Sequence, residues 1–398
     1  MPARPPAQSV ALVLAGGGAR GAYEAGALSA LLPALQAGGW APRIVIGSSV
    51  GALNAAFFAA NAHRPAADLI DRALAVWQSI RWGEVVDGIV SGASLRRLAA
   101  YAGGVAGVPG ARLESLLDPA PLRRTLAERI DFAQIERNVD DGTLAAAAVV
   151  ALSARTGRSV VFHHGLPSPP ADAGRGIEYA VTALTARHVL ASAAIPALFP
   201  AVRIEQPAAA AGWYVDGGTR LNTPIKPALA FGADRVVVIA LGSLSTAQPA
   251  GAGDQRPDAL DGAGQILQAM LEDQLSQDVQ TLARRNEPAA ATGAAIDGLR
   301  PVPYILIAPE RQDTIARIAQ RTFTEHYRGP RALRSPNLAL LGRLIGGGTD
   351  LRHADLLSFL MFAPEFAKAL IGLGRHDAER WLRQGHPVDG LWRLRRAP

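Results

Sequence analysis

The chain has 398 residues, of which 49% are hydrophobic and 19% charged, a composition typical of a folded globular protein and not of a disordered one. It contains no cysteine, which excludes disulfides, a thiol nucleophile and cysteine-based zinc sites. The formal net charge is +6, but the arginines that supply it are scattered and form no tract of the kind that binds nucleic acid.

The N-terminal stretch predicts no targeting segment. Residues 1–8 are rich in proline and have no apolar core, so we expect a loose tail and no secretory signal. The longest apolar run, Leu144–Leu152, is far shorter than the roughly 20 residues that a membrane helix needs. We therefore expect a soluble cytoplasmic protein, peripheral to a membrane at most.

The first part of the chain predicts alternating strands and helices. Val10–Leu14 is a short apolar strand that runs into the glycine-rich loop Gly16–Gly21, and a helix is predicted over Tyr23–Gln36. A second strand, Ile44–Ile46, leads into a tight turn at Gly47–Gly51 and another helix. This order of elements is typical of a parallel α/β sheet.

The remaining pattern predicts both helices and strands. Helices are predicted over Ala66–Tyr101, Pro121–Ile130, His188–Ala193 and Ile266–Arg285, and over 351–372 with a break at Pro364. Strands are predicted over Leu144–Ser153, Ser159–His163, Trp213–Val215, Arg235–Leu241 and Tyr304–Ala308. Loops are predicted over Gly103–Gly110 and Ser243–Asp261.

Ser49 stands between Gly47 and Gly51 in a G-x-S-x-G pattern. After a strand and before a helix, this pattern predicts a nucleophile elbow, in which the turn exposes the serine hydroxyl. A Cβ at either glycine would clash with the neighbouring turn, and the helix N-terminus favours developing negative charge. Because the chain has 41 glycines, the pattern also arises by chance, and only its position between strand and helix favours a nucleophile.

The glycine loop allows three interpretations. Gly16, Gly18 and Gly21 fit the dinucleotide fingerprint, but no acidic residue follows the second strand to hold a ribose. A P-loop is excluded, since no Gly-Lys-Ser/Thr follows. The third interpretation is an oxyanion hole, in which successive backbone amides bind the negative oxygen of an acyl-transfer intermediate. A nucleotide- or phosphate-binding module stays open as an alternative function.

A serine nucleophile needs a base, and Asp216 is the best candidate. It ends an apolar strand and precedes Gly217 and Gly218, so it can lie at the same sheet edge as Ser49. A carboxylate can take the serine proton directly within about 2.6–3.2 Å, and partial desolvation would raise its pKa. None of the eight histidines has a recognisable catalytic context, but a triad that uses a later one, such as His326, stays open.

Four sequence blocks together resemble patatin-like phospholipases. They are Gly16-Gly17-Gly18-Ala19-Arg20-Gly21, Gly47-Ser48-Ser49-Val50-Gly51, Ala191–Pro200 and Asp216-Gly217-Gly218. The similarity spans about residues 9–242 and keeps the order of the motifs. It implies a three-layer α/β/α fold with a mainly parallel central sheet. We predict a tail over 1–8, a patatin-like catalytic domain over 9–242, and a linker with a mostly helical extension over 243–398 that adds at least one strand.

The resemblance also implies a function. Ser49 would be the nucleophile and Asp216 the base of a Ser-Asp dyad that hydrolyses lipid acyl esters through an acyl-serine intermediate, without a metal or cofactor. Residues implied around the oxyanion hole are Gly16, Gly17, Gly18 and Arg20, and those supporting the turns are Gly47, Gly51 and Gly217. The implied partner is a lipid or phospholipid, with transient membrane contact and no nucleic acid; the oligomeric state stays open. Leu356–Phe362 could line an acyl pocket or touch lipid, although core packing is the simpler interpretation.

Overall fold

A computed structural model of the chain describes residues 9–87, 115, 117–243, 279, 282, 286, 301–345 and 351–394. The predicted loop Gly103–Gly110 lies outside these residues. The predicted linker Ser243–Asp261 and helix Ile266–Arg285 lie almost entirely outside them.

Within the described residues, nine strands form one sheet. They are β1 (Val10–Leu14), β2 (Pro42–Ser48), β3 (Ala146–Ser153), β4 (Ser159–Gly165), β5 (Ile177–Val181), β6 (Val202–Ile204), β7 (Gly212–Asp216), β8 (Arg235–Ile239) and β9 (Tyr304–Ile307). The order across the sheet is β5-β4-β3-β2-β1-β8-β9, with β7 also beside β3 and β6 beside β7. Five strand pairs are parallel and three, β3–β4, β3–β7 and β6–β7, are antiparallel. The mainly parallel central sheet is therefore confirmed.

The helices cover both faces of this sheet. They are α1 (Ala22–Ala37), α2 (Val50–Asn61), α3 (Ala66–Ser79), α4 (Trp82–Val85), α5 (Ala120–Arg129), α6 (Phe132–Asp140), α7 (Ala186–Ser192), α8 (Ile225–Ala230), α9 (Thr314–His326), α10 (Pro336–Leu344), α11 (Leu351–Leu360) and α12 (Pro364–Gln384). The prediction of one helix over Ala66–Tyr101 is wrong, because Ile80 and Arg81 take extended backbone angles and end α3. Residues 88–101 lie outside the described ranges.

Alternate residues of each central strand face different layers. In β1, Leu12 belongs to the core beneath α1, α2 and α12, and Val13 to a second core that includes α8. Both side chains are fully buried. A strand covered on both faces reads as a continuous apolar run, which explains why β1 and β8 lack polar alternation. The result is a three-layer α/β/α arrangement.

The C-terminal third adds to the same sheet. β9 extends the parallel sheet beside β8, and α12 packs along α1, where the hydroxyl of Tyr23 donates to Asp377 Oδ2 at 2.8 Å. The predicted break at Pro364 is confirmed, because α11 ends at Leu360 and α12 begins at Pro364. The division of domains near residue 242 stays a prediction.

Of the helices in the described ranges, none alone is long and apolar enough to span a membrane; one pair, His353–Leu360 with Pro364–Gln384, meets the criterion jointly but is bent by 101°. The same described residues hold no group of three or more His, Cys, Asp or Glu side chains arranged to bind a metal ion.

Candidate active site

The strands β2 and β7 meet end to end beside β3. β3 pairs with β2 as far as Val150, which lies opposite Ser48, the last residue of β2. The next residue of β3, Ala151, lies opposite Asp216, the last residue of β7. Because β2 and β7 approach along the same edge of β3, the residue that follows β2 is brought to the end of β7. That residue is Ser49.

Ser49 forms the tight turn between β2 and α2. Its φ of 53° lies in the left-handed region, which is strained for a residue with a Cβ. The amide of Ser49 donates to Ser192 Oγ at 2.9 Å, and the Ser192 hydroxyl donates to the carbonyl of Val150 at 2.5 Å. Ser192 therefore ties the strained turn to β3. Sequence reasoning noted its segment but gave Ser192 no role.

The side chains of Ser49 and Asp216 are in direct contact. The Ser49 hydroxyl donates to Asp216 Oδ2 at 2.6 Å, and the amide of Gly218 donates to Oδ1 at 2.7 Å. Asp216 is only 3% exposed. Burial raises the pKa of Asp216 to about 7, against the opposing effect of these two hydrogen bonds. A carboxyl group with a pKa near neutrality can accept and return a proton at physiological pH.

Three glycines let backbone segments approach one another around this pair. A Cβ added to Gly51 would collide with the carbonyl oxygen of Leu14, at the end of β1. A Cβ on Gly47 would collide with the carbonyl of Gly51, and one on Gly217 with that of Val150. Since each obstacle is backbone, a larger residue would force the strand ends apart.

The glycine loop after β1 passes directly beside Ser49. A Cβ on Gly16 would lie 2.8 Å from the Cβ of Ser49, and the Gly16 amide donates to Asn222 Oδ1 at 2.9 Å. The Gly16 amide is therefore engaged. Among the described residues, the amides of Gly17 and Gly18 have no acceptor. Gly18, with a φ of 60°, lines the same cleft as Ser49. The loop thus holds two amides without an acceptor among the described residues, and Gly18 lies in the cleft beside Ser49.

Arg20, which the sequence predicts around the oxyanion hole, directs its side chain toward α11. Its guanidinium, which is buried, donates to Ser358 Oγ and to Asp355 Oδ1, both at 2.7 Å, and lies over the ring of Phe359. Its amide donates to the carbonyl of Gly17 at 3.2 Å. Arg20 therefore connects the glycine loop to α11. The acidic partner comes from far along the chain, so no local spacing predicts this role.

An apolar cleft opens over Ser49. It has a volume of about 910 Å³, counting space open to solvent. Its walls come from α2, α3, α5 and the segment before α12. Phe359, Leu360 and Phe362 line the cleft, whereas Leu357 and Met361 are buried in the core. The segment Leu356–Phe362 therefore contributes to both the cleft and the core.

Comparison with known proteins identifies the family of the chain. The family profile described as "Patatin-like phospholipase" matches residues 12–229, more than half of the chain. The chain belongs to the patatin-like phospholipase family. Among solved structures, the crystal structure of VipD from Legionella pneumophila is similar, with 13% identity and a TM-score of 0.35 over 94% of this chain. The chain spans 66% of that VipD chain, less than two thirds of its length. No curated protein matches the sequence.

The histidines of this patatin-like chain form no hydrogen bond to Ser49 or Asp216 in the part that the structure describes. His326 lies beside Glu325, at 3.9 Å. His188 contacts Thr185 and the carbonyl of Gln206 and packs on the ring of Phe162. Burial lowers the pKa of His188 and lowers that of His163 to about 4. Both side chains are therefore neutral at physiological pH and belong to the core.

A buried polar network behind the glycine loop was not predicted from the sequence. Asn54 Nδ2 donates to Glu24 Oε2 at 2.6 Å and to the carbonyl of Gly21 at 3.0 Å, while Trp77 Nε1 donates to Asn54 Oδ1 at 3.0 Å. Burial raises the pKa of Glu24 well above its usual value. The network joins α1, α2 and α3. The one sequence feature that could have indicated this network is Asn54, a polar side chain inside the apolar helix that follows Ser49.

Proposed function

We propose that this chain hydrolyses acyl esters of lipids, with Ser49 as the nucleophile and Asp216 as the base. The observation that carries the proposal is the 2.6 Å hydrogen bond between these side chains at the base of an apolar cleft. The family to which the chain belongs is described as one of phospholipases. An apolar cleft beside a polar reactive pair suits a substrate with an acyl chain and an ester group.

In the first step, Ser49 Oγ attacks the ester carbonyl carbon while its proton passes to Asp216 Oδ2. The carbonyl oxygen becomes negatively charged, and the unpaired amides of Gly17 and Gly18 would donate to it. Each such donor contributes roughly 3 kcal/mol to transition-state stabilisation in known examples. When the intermediate collapses, the leaving alcohol takes the proton from Asp216, and the acyl group stays on Ser49.

In the second step, water attacks the acyl group on Ser49. Asp216 takes a proton from this water, and the amides again stabilise the oxyanion. Collapse returns the proton to Ser49 Oγ and releases the carboxylic acid, so that the dyad is restored. One carboxylate therefore acts as base and then acid in each half of the reaction, which a pKa of about 7 permits.

The alternative with a Ser-Asp-His triad receives less support. Asp216 already accepts from Ser49 on one oxygen and from Gly218 on the other. In the described residues, no histidine ring lies between Ser49 and Asp216. The alternative of a phosphate-binding module is also less favoured, because the glycine loop faces a serine in an elbow and not an acidic or basic ligand set.

The test is hydrolysis of p-nitrophenyl butyrate by the wild type and three variants. Ser49→Ala should lose at least about 10³-fold in kcat/KM, and Asp216→Asn about 10²–10⁴-fold. Ser48→Ala is a matched control, because the neighbouring hydroxyl of Ser48 is buried without a hydrogen-bond partner among the described residues and should be dispensable. Equal turnover by all four proteins would rule the proposal out.

Replacing late histidines separates the two hydrolase candidates. If Ser49 and Asp216 act alone, His326→Ala should retain the wild-type kcat/KM, because its ring pairs with Glu325 instead. A loss of more than about 10²-fold would favour the triad.

A further inference from the structure

Charged residues surround the mouth of the cleft. Arg129 both lines the cleft and is exposed, so it marks the mouth. Glu84 lies 4.0 Å from the Arg129 guanidinium and accepts the amide of Arg81 at 2.9 Å. Arg81, also exposed, directly follows Ile80 of the cleft wall. Arg81 and Arg129 therefore lie at the same opening.

This charged surface continues past the end of α9. The hydroxyl of Tyr327 donates to Glu365 Oε2 at 2.6 Å, and Glu365 follows closely after Phe362 of the cleft wall. Burial and Glu365 raise the pKa of Tyr327, whereas the charges of Arg334 and Arg81 oppose the increase. Arg328 directly follows Tyr327, so the segment after α9 begins beside this contact.

The segment after Tyr327 combines positive charge with an exposed apolar side chain. Leu333 is 85% exposed, the largest value for a large apolar residue among those described. Arg328, Arg331 and Arg334 are all exposed beside it in sequence. Within the described ranges, no carboxylate forms an ion pair with Arg328 or Arg334, and Arg331 donates to the backbone carbonyl of Glu325. These charges remain available to an external partner.

We call this surface the basic rim. Its members are Arg81, Arg129, Arg328, Arg331, Leu333 and Arg334. The acidic residues beside it are engaged in part: Glu84 pairs with Arg129, and Glu365 accepts the Tyr327 hydroxyl. Of the five rim arginines, only Arg129 has a carboxylate within 4.0 Å among the described residues.

We propose that the basic rim docks on the surface of an anionic phospholipid membrane. Guanidinium groups recognise phosphate by charge-assisted hydrogen bonds, and an exposed leucine can enter the boundary between headgroups and acyl chains. Arg129 lines the cleft, and Tyr327, next to Arg328, bonds to Glu365 close after Phe362 of the cleft wall. A protein docked through the rim would therefore present its cleft to the lipid. The docking proposal rests on the proposed function, because docking serves the reaction only if the chain hydrolyses lipids. Binding to the membrane itself does not require hydrolysis.

The test measures binding of the full chain to vesicles in a Ser49→Ala background, which removes the proposed hydrolysis. Co-sedimentation compares vesicles of phosphatidylcholine alone with vesicles of equal parts phosphatidylcholine and phosphatidylglycerol. We expect binding to the anionic vesicles only, weakened by added salt. Combined Arg328→Gln, Arg331→Gln and Arg334→Gln should lower the partition coefficient roughly 100-fold, at about fivefold for each charge. Leu333→Asp should lower it about tenfold.

A control variant carries the same loss of charge elsewhere. Arg137→Gln, Arg158→Gln and Arg375→Gln together remove three arginines outside the rim whose partners are Asp131, Glu178 and Glu379. This control should bind as the parent does. If the control loses as much binding as the rim variant, the effect is one of net charge and the proposal is wrong.

Two further outcomes would also overturn the docking proposal. One is unchanged vesicle binding by the rim variants. The other is unchanged vesicle binding together with dissociation, in Leu333→Asp, of a dimer detected by light scattering. That result would assign the rim to contact with a second copy of the chain. Hydrolysis of p-nitrophenyl butyrate is measured separately with intact Ser49. Rim variants that hydrolyse this soluble ester normally but do not bind vesicles support docking. An inactive wild type that still binds would contradict the proposed function alone.

Discussion

Asp216 experiences two opposing influences. Its burial disfavours the charged carboxylate, while hydrogen bonds from Ser49 and Gly218 favour it. The balance leaves the pKa at about 7, so that both protonation states are accessible near physiological pH. Ser49 adds strain, since its backbone is held in the left-handed region by the hydroxyl of Ser192. At the scale of residues, the proposed chemistry depends on these few bonds.

The pKa of Asp216 predicts the pH dependence of ester hydrolysis. The carboxylate must be ionised to take the proton of Ser49, so kcat/KM should fall about tenfold for each pH unit below about 7 and reach a plateau above it. A pH profile with p-nitrophenyl butyrate measures this. A profile that stays flat down to about pH 5 would contradict a base with a raised pKa.

The same shift predicts how stability depends on pH. In the unfolded chain Asp216 has its ordinary pKa near 3.8, whereas in the folded chain it is about 7. Burial of the charged form therefore destabilises the protein progressively as pH rises from about 4 to 7. Asp216→Asn removes this titration. The melting temperature of the variant relative to that of the wild type should therefore rise as the pH increases from about 4 to 7. Thermal unfolding at several pH values measures this difference in melting temperature. A difference that falls as the pH rises would contradict a raised pKa for Asp216.

At the scale of elements, the site results from the register of β3. This strand is long enough to pair first with β2 and then with β7, and the two strand ends meet. α2 begins directly after Ser49, with Gly51 in its first turn against the end of β1. The close approach of β1, β2 and α2 is what brings the glycine loop beside the serine.

Substitution of Gly51 tests this close approach. In Gly51→Ala the added methyl group meets the carbonyl of Leu14, so the free energy of unfolding should fall by at least about 2 kcal/mol and hydrolysis should weaken. Gly83→Ala is the control, because a Cβ at Gly83 meets no atom within 4 Å. Urea unfolding compares the two. Equal stability of both variants would show that the packing at Gly51 is looser than described.

Much of the sheet could be predicted because buried strands are apolar throughout. β1, β2, β3, β8 and β9 were all recognised from such runs. β5 and β6 were not, since β5 (Ile177–Val181) carries partly exposed residues and β6 (Val202–Ile204) has only three residues. The motifs singled out Ser49 and Asp216, but their contact depends on pairing along β3, which no local pattern reveals.

At the scale of the whole molecule, the C-terminal third completes the surroundings of the glycine loop. Arg20 and Asp355 are 335 positions apart in sequence and 2.7 Å apart in space. This separation explains why the sequence could not predict the position of Arg20. The same segment supplies Phe359, Leu360 and Phe362 to the cleft. The residues matched by the family profile, 12–229, therefore form only part of the site.

Breaking the contact between Arg20 and Asp355 tests this long-range support. Arg20→Met leaves Asp355 without its partner, and the free energy of unfolding should fall by about 3–5 kcal/mol, with a loss of hydrolysis as the glycine loop loosens. The matched control is Arg72→Met, which removes an exposed pair with Asp68 and should cost less than about 1 kcal/mol. Denaturant unfolding measures both. Similar small losses in the two variants would contradict a supporting role for α11.

The most direct measurement is the intact mass of the protein after reaction with a fluorophosphonate, followed by peptide mapping. The account predicts one adduct per chain, located on Ser49, with none on Ser49→Ala and much slower labelling of Asp216→Asn. Labelling of the wild type at another residue, or at the same rate in Asp216→Asn, would contradict the claim that Asp216 activates Ser49.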